Sequence, residues 1–143
     1  MGRWHETHRA VVHPWYCDQF GHMNVRYYCN FFDDAGFHIW SHIGCPHSEM
    51  KARGVMLVVA RNTLDFIHEM KAGELLRIET AFIRVGRKSC THLNRMYNVD
   101  DGTLCATLES VEVFFDPVTR TSAPMPDDIR ALLTEALVPL EDG

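Results

Sequence analysis

Apolar residues in the first third of the chain recur with the spacing of a helix. Their positions follow the i, i+3, i+4, i+7 rule at Tyr28, Phe31, Phe32, Ala35, Ile39 and Ile43. Asn24 precedes this stretch and is a favoured N-cap residue, while Gly44 and then Pro46 are typical of a helix end. The pattern therefore predicts a helix of about twenty residues, ~30 Å long, with a wide aromatic face.

The second half of the chain alternates between apolar and polar residues, which is typical of strands. Short turns divide it into four strands, predicted at residues 55–67, 75–85, 89–99 and 103–115. A further strand is predicted at residues 7–15, where Pro14 ends it or confines it to a sheet edge. The apolar phase shifts near Thr80 and again near Glu109–Ser110, and these shifts predict β-bulges that bend the sheet. The stretch PMPDD opens a last short helix.

A long aromatic helix needs one large apolar surface to cover, and a curved antiparallel sheet provides it. The predicted fold class is therefore α+β, with a long central helix wrapped by a curved antiparallel sheet of five strands. The length of 143 residues fits a single domain over residues 1–143. Long strands leave sheet edges open, and pairing of two edges in a dimer would cover one of them.

Composition and charge narrow the classes of partner. The net charge is −5 and no basic run is present, which argues against nucleic acid. No apolar stretch approaches the ~18 residues of a membrane span, and the N-terminus MGRWHETHRA lacks the apolar core of a signal peptide. The five cysteines are scattered without a C-x-x-C pair, which favours free thiols and a cytoplasmic location.

The stretch CDQFGHMN, residues 17–24, lies between the first strand and the long helix and carries candidate chemistry. The start of a helix offers unpaired N–H groups and a positive dipole end. Gly21 lets the chain turn sharply and lets another group approach the backbone. Asp18 lies close enough to face whatever binds there. Together they supply oxyanion donors and a carboxylate that acts as nucleophile or general base, as acyl transfer requires.

A thioester is the acyl substrate that needs least from such a site. An amide requires a strong general acid for its leaving amine, and an aspartate ionised above ~4 is a poor acid at neutral pH. A thiolate, with a pKa near ~8.5, leaves without help. One carboxylate with oxyanion donors would therefore suffice for thioester hydrolysis, while the spacing alone favours the structural alternative, in which Asp18 is only a capping or turn residue.

The stretch CDQFGHMNVRYYCNFFDDA resembles the signature D-x-x-G-H-x-N-x-x-x-Y of hotdog-fold acyl-CoA thioesterases of the 4-hydroxybenzoyl-CoA thioesterase type. The likeness extends over residues 7–133, through LVVARNTLDFIHEMKAGELLRIETAFIRVGRKS and VFFDPVTRTSAPMP. It implies the hotdog fold, which matches the architecture predicted above. It also implies an acyl-CoA substrate whose coenzyme A is part of the substrate, with no separate cofactor.

The resemblance also implies roles for particular residues. Asp18 corresponds to the catalytic carboxylate, and the N–H that polarises the thioester carbonyl comes from Val25 or its neighbour Asn24. The active site of the family lies at a subunit interface, which implies a homodimer or a dimer of dimers. Two departures affect the acyl pocket: Tyr16 stands where many relatives have an acid, and Val25 stands where many have a second asparagine.

Other residues near the signature have two possible roles. His22 either orients a water or the substrate, or packs and bonds to the backbone. Tyr28, Trp15 and Trp40 either line an acyl pocket or fill the core, and a tryptophan in the pocket would hold a cationic acyl group, such as betainyl, by cation–π attraction. Cys17 next to Asp18 is a weaker candidate nucleophile with His22 as base, because adjacent residues of an extended chain face opposite ways.

A basic turn and a histidine pair complete the candidates. Arg84, Arg87, Lys88 and Ser89 surround the turn at residues 86–88 and offer cations and donors for the phosphates of coenzyme A. In the family this turn lies near the coenzyme entrance. His38 and His42 have a metal-binding spacing, but no acidic or Cys partner completes a site, so we predict no metal.

Two functional hypotheses follow. The first is an acyl-CoA thioesterase that hydrolyses a small acyl-CoA. The alternative is a non-catalytic acyl-CoA-binding or structural hotdog subunit. The presence of Asp18, Gly21, His22 and Asn24 favours the enzyme, because a binding protein needs no carboxylate beside a thioester.

Overall fold

The computed structural model describes residues 2–140. One long helix and a six-stranded antiparallel sheet dominate this part of the chain. The strands are β1 (His5–Val11), β2 (Met56–Phe66), β3 (Leu75–Val85), β4 (Ser89–Asn98), β5 (Leu104–Asp116) and β6 (Thr121–Ser122). The helices are α1 (Val25–His42), α2 (His47–Ala52) and α3 (Asp127–Ala136), with a 3-10 turn at Pro14–Tyr16.

The sheet has the strand order β1-β3-β4-β5-β2, and the two residues of β6 add to the outer end of β5. Neighbouring strands pair antiparallel throughout. Helix α1 lies across the inner face and contacts β1 and β3 most closely. The long helix and the five-stranded antiparallel sheet predicted from the sequence are therefore both present.

Helix α1 begins and ends where the sequence predicts. The Asn24 side-chain oxygen accepts the Arg26 N–H at 3.2 Å, which caps the first turn. After His42 the chain leaves the helix, and Gly44 adopts a positive φ of 88° that favours glycine. The buried face of α1 consists of Tyr28, Phe31, Phe32, Ala35, Ile39 and Trp40. This face fixes which side of the helix meets the sheet.

Three details differ from the prediction. The first strand ends at Val11, because Pro14 starts a 3-10 turn, and the short helix α2 was not predicted. The predicted bulge in β5 near Glu109–Ser110 is absent, since its burial alternates without a break from residue 106 to 114. Register shifts lie instead at Phe82–Arg84 in β3, at Val59–Arg61 in β2 and between β4 and β5 at Met96–Tyr97.

Polar residues at core-facing positions explain the missing bulge. Ser110 and Glu112 follow Leu108 on the buried face of β5, and His92 and Asn94 occupy the buried face of β4. When a polar residue occupies a core-facing position of a strand, the alternation of apolar and polar residues in the sequence is interrupted, as it would be at a bulge. These side chains lie between two hydrophobic clusters, one against the first half of α1 and one against its second half.

The core-facing polar side chains form a continuous hydrogen-bonded chain under α1. Trp40 Nε1 and His92 Nε2 both lie near Glu112 Oε1, at 3.3 Å and 2.7 Å. Asn94 Nδ2 lies 2.8 Å from His92 Nδ1, and Thr80 Oγ1 donates to Asn94 Oδ1 at 2.7 Å. Buried polar groups are costly unless they are hydrogen-bonded, so this chain ties α1 to β3, β4 and β5 in one register.

The two edges of the sheet differ in their surroundings. Strand β1 lies beneath α1. Strand β2 pairs with β5 on one side, and its large apolar side chains remain exposed, with Val59 52% and Phe66 52% exposed. An 11-residue edge strand with exposed apolar residues is a surface that folded proteins usually cover.

We predict that stability falls when the pH decreases from about 7 to 5. Burial, and then the charges of His42 and Arg3, lower the pKa of His5. Burial also lowers the pKa of His8, with Asp34 opposing and His38 adding to the effect. Below the unfolded-state value of 6.5, the unfolded chain therefore binds more protons than the native one, and unfolding is favoured.

Urea unfolding at several pH values between 7 and 5 measures this effect. The carboxylates whose pKa values are lowered titrate below this window. The variant His8→Gln should reduce the slope of the free energy of unfolding against pH. A free energy of unfolding that stays constant over this range would contradict the prediction.

Candidate active site

The segment between the 3-10 turn and α1 forms a tight hairpin. Cys17 and Met23 form an antiparallel bridge. Asp18 N–H donates to His22 O at 3.0 Å, and Gly21 N–H donates to Asp18 O at 3.0 Å. Gly21 has a φ of +80°, a conformation that favours glycine, so its place in the signature has a local cause. The hairpin holds Asp18 near the entrance to α1.

One oxygen of the Asp18 carboxylate is held and the other is open. Oδ1 accepts the Phe20 N–H at 2.9 Å, a side-chain turn that fixes the orientation of the group. Oδ2 has no hydrogen-bond partner among residues 2–140, and the side chain is half-buried. The arrangement leaves a carboxylate oxygen available for a ligand or water.

The first N–H groups of α1 differ in their partners. Asn24 N–H donates to Tyr16 O at 2.8 Å, and Tyr27 N–H donates to Asn24 O at 3.0 Å. Val25 N–H has no acceptor among the residues that the structure describes, and Val25 is 57% exposed. Of the two candidate oxyanion donors, Val25 is therefore the one with a free N–H.

His22 points toward the segment that follows β2. Its Nε2 lies 3.0 Å from Glu69 Oε2, and its backbone forms a bridge with Lys71. The side chain of His22 therefore bonds to Glu69 and not to Asp18. Glu69, four residues before Gly73 in the loop before β3, was not a candidate from the sequence.

Tyr28 belongs to the core. It is 4% exposed, packs edge-to-face on Phe66 at 5.1 Å, and its hydroxyl accepts the Met70 N–H at 3.3 Å. Burial raises the pKa of its phenol, so the hydroxyl stays protonated. Its contacts join α1 to the end of β2 and to the loop beside His22.

The basic turn lies at the opposite end of β3 from Asp18. Strand β3 begins at Leu75, shortly after Lys71, which forms a bridge with His22, so this end of the strand lies near the hairpin. The turn at residues 86–88 follows the other end of the strand, at Val85. An 11-residue strand separates the two ends by roughly 33 Å. Arg84 pairs with Glu109 at 3.1 Å. One protomer therefore does not bring Arg84, Arg87, Lys88 or Ser89 together with Asp18.

The remaining candidates from the sequence lie elsewhere. Cys17 packs against the core beside α1, and its Sγ lies 3.8 Å from His13 O. His42 bonds to the Glu6 backbone oxygen at 3.1 Å. Within residues 2–140, no group of three or more metal-binding side chains is arranged to hold an ion. Trp40 is fully buried, while Trp15 is 67% exposed and stacks on His13.

A cavity of about 590 Å³ lies between α1 and the strands β2, β4 and β5. Its helix side carries Arg26, Cys29, Asn30, Phe32, Asp33, Gly36 and Phe37. Its other walls carry His47, Leu57, Val59, Asn62, His92, Leu108, Ser110 and Glu112. Asp18 does not line the cavity, but Cys29 lies one helical turn after Val25. The cavity therefore begins at the first turns of α1, and Val25 is not among its lining residues.

The polar end of this cavity, formed by His92 and Glu112, was not predicted from the sequence. His92 and Glu112 lie on neighbouring strands, in an apolar-polar pattern that we interpreted as a phase shift. The signal in the sequence was a histidine, an asparagine, a serine and a glutamate at inward-facing strand positions. Burial alone would raise the pKa of Glu112, but hydrogen bonds from His92 and Trp40 lower it.

Comparison with known proteins defines the class. A sequence profile of the thioesterase-like superfamily matches residues 12–133. The chain belongs to this superfamily, which confirms the predicted class of thioester hydrolase. It is 26% identical over 125 residues to the betainyl-CoA thioesterase of Pseudomonas aeruginosa, a match that covers 87% of this chain and 79% of that protein.

Solved structures confirm the hotdog fold. A Staphylococcus aureus protein in complex with CoA has a TM-score of 0.85 at 17% identity, covering 97% of this chain and 90% of that one. A 1,4-dihydroxy-2-naphthoyl-CoA thioesterase from Synechocystis has a TM-score of 0.79 at 14% identity, covering 90% and 94%. Within residues 2–140, no helix combines the length and apolar character needed to cross a membrane.

Proposed function

We propose that this protein hydrolyses small acyl-CoA thioesters, with Asp18 as the catalytic carboxylate and Val25 N–H as the oxyanion donor. The observation that carries the proposal is the free N–H at the start of α1, next to a hairpin that holds a carboxylate with one open oxygen. A backbone donor at a helix start faces the charge that develops on a thioester oxygen, and the helix dipole adds to its effect.

The reaction needs one carboxylate because the leaving thiolate departs without an acid. As a general base, Asp18 takes a proton from water while the water oxygen adds to the carbonyl carbon, and the tetrahedral intermediate then expels the CoA thiolate, which takes up the proton. As a nucleophile, its open oxygen adds to that carbon, the intermediate expels the CoA thiolate to leave a mixed anhydride, and water then cleaves the anhydride to the free acid and the Asp18 carboxylate. In both routes the carbonyl oxygen becomes an anion opposite Val25 N–H. His22, bonded to Glu69, and Gly21 shape the hairpin around the substrate.

The relatives support an acyl-CoA substrate. A curated relative acts on betainyl-CoA, and a protein of the same fold binds CoA. The match to the superfamily profile covers residues 12–133, a range that contains Asp18, Val25 and the residues of the cavity. The exposed turn with Arg87 and Lys88 provides cations for the coenzyme phosphates.

A homodimer brings the basic turn and Asp18 to the same end of the assembly. Pairing of two β2 edges antiparallel places the Met56 end of one strand beside the Phe66 end of the other. The Met56 end lies near the turn, because Met56 pairs with Phe115 and Phe114 N–H donates to Lys88 O. The Phe66 end lies near Asp18, through Tyr28 and Met70. Each protomer then supplies the coenzyme cations for its partner's carboxylate.

Asp18→Asn should leave a folded protein that binds substrate and turns over ~10²–10⁴-fold more slowly, because the amide cannot take a proton from water. An asparagine oxygen still accepts the Phe20 N–H, so melting should not change. Thiol release from acyl-CoA measures the rate. Asp101→Asn is the matched control, since Asp101 accepts the Thr103 N–H in the same type of turn, in the β4–β5 connection outside the hairpin that holds Asp18. Normal turnover of Asp18→Asn would support the non-catalytic alternative.

Val25→Pro should remove the oxyanion donor without unfolding the helix. Proline is favoured at the first helical position, and the extended Asn24 backbone, with φ −69° and ψ 146°, is compatible with a following proline. We expect kcat to fall by ~10²–10³-fold, the cost of losing one oxyanion donor. Val25→Ala, which keeps the N–H, should retain activity. Equal kcat for both variants would remove Val25 from the mechanism.

The protein should be at least a dimer in dilute solution, because the exposed β2 edge and the divided site both require a second copy. Light scattering at micromolar concentration should give at least twice the 16.5 kDa of one chain. A mass equal to that of the single chain would contradict the dimer and the shared site.

A further inference from the structure

The polar end of the cavity presents a carboxylate oxygen without a partner. Glu112 is 7% exposed and lines the cavity. Both of its hydrogen bonds, from Trp40 and His92, go to Oε1. Oε2 has no hydrogen bond among residues 2–140, yet it is not one of the fully buried unpartnered atoms. Oε2 therefore opens into the cavity.

The hydrogen bonds of Asn94 show that His92 is neutral. Asn94 Nδ2 donates to Leu108 O at 3.2 Å, so this atom is the amide nitrogen. The same nitrogen lies 2.8 Å from His92 Nδ1, which must therefore accept. His92 carries its proton on Nε2 and donates it to Glu112 Oε1. The pair is a hydrogen bond between a neutral imidazole and a carboxylate.

The charge of Glu112 is consequently not balanced within the cavity. Asp33 adds a second negative charge, and burial lowers the pKa of His47, which disfavours its cationic form. Arg26 is the cation among the lining residues. It is far from Glu112, because Trp40, which bonds to Glu112, lies four turns or about 20 Å further along α1. A buried carboxylate without a counter-charge is costly, and a bound cation removes that cost.

We propose that the acyl group of the substrate ends in a positively charged group, which this cavity holds against Glu112. The inference rests on the proposed thioesterase activity and specifies its substrate class. The ring of Phe37, 54% exposed and part of the cavity wall, adds cation–π attraction. Trp40 and His92 position Glu112, whose Oε2 contacts the cation. Both a quaternary ammonium and a protonated amine meet these requirements.

The helix provides a measure of acyl length. Gly36 faces His92 and lies about three turns, or ~16 Å, after Val25 along the helix axis. When the thioester is held at Val25 of the same protomer, a short acyl group leaves its cation at a distance from Glu112. A longer acyl group brings the cation into contact with Glu112. The preference for a cation should therefore increase with the number of methylene groups.

The experiment compares acyl-CoA esters of increasing chain length that end in trimethylammonium with neutral isosteres that end in tert-butyl. A third series ends in a primary ammonium, which separates hydrogen-bonding cations from quaternary ones. We expect a higher kcat/KM for the cationic esters, by about 30-fold or more at the preferred length, as expected for one buried charge pair. A cation preference that is largest at the shortest length would overturn the assignment of the cation to Glu112.

Glu112→Gln keeps the size of the side chain and removes its charge. In this variant the ratio of kcat/KM for cationic esters to kcat/KM for their neutral isosteres should fall to about one. Glu79→Gln is the matched control, because Glu79 lies on β3, bonded to Arg77, outside the cavity. If Glu112→Gln does not fold, the comparison of cationic and neutral esters with the unaltered protein still decides whether the cavity prefers a cation.

Equal cleavage of charged and neutral esters at every length would overturn the inference and leave the proposed function intact. A preference that persists in Glu112→Gln would also overturn it. Failure to release thiol from any ester of the panel, including simple neutral acyl groups, would overturn the proposed function itself, and the inference with it.

Discussion

The hydrogen-bonded chain beneath α1 is the constraint on which the rest of the structure depends. Trp40, Glu112, His92, Asn94 and Thr80 come from one helix and three strands, and each satisfies a neighbour. A shift of one residue in any central strand would turn these polar groups to the outer face and leave their partners unpaired. The network therefore sets the register of β3, β4 and β5 and the rotation of the helix above them.

The rotation of α1 in turn decides what its N-terminus presents. With the face of Tyr28, Phe31 and Ile39 buried against the sheet, Arg26 and Cys29 lie along the cavity side of the helix. The hairpin before the helix uses the Asn24 N–H for its own closure and leaves Val25 N–H free. The same packing that stabilises the core thus leaves one backbone donor open, beside a fixed carboxylate.

The two carboxylates of the site differ in environment, and we propose different roles for them. Asp18 lies in a half-exposed hairpin with an open oxygen, where water and a thioester have access. Glu112 lies deep in the cavity, held by two N–H donors and without a cation beside it. The first environment suits proton transfer or nucleophilic attack, and the second suits recognition of charge. The exposed edge of β2 is the surface at which we propose that a second copy of the chain pairs.

Local features of this protein are determined by its sequence. The period of apolar residues predicted α1, its cap at Asn24 and four long strands, because each depends on neighbours within a few positions. The signature around Asp18 identified the fold family for the same reason. The pairing of His92 with Glu112 was not predictable, since it needs two strands in a particular register with a helix above. Nor was the separation of Asp18 from Lys88, because only strand length and direction place them at opposite ends. Contacts between residues distant in sequence depend on the packing of whole elements, and tertiary structure alone decides them.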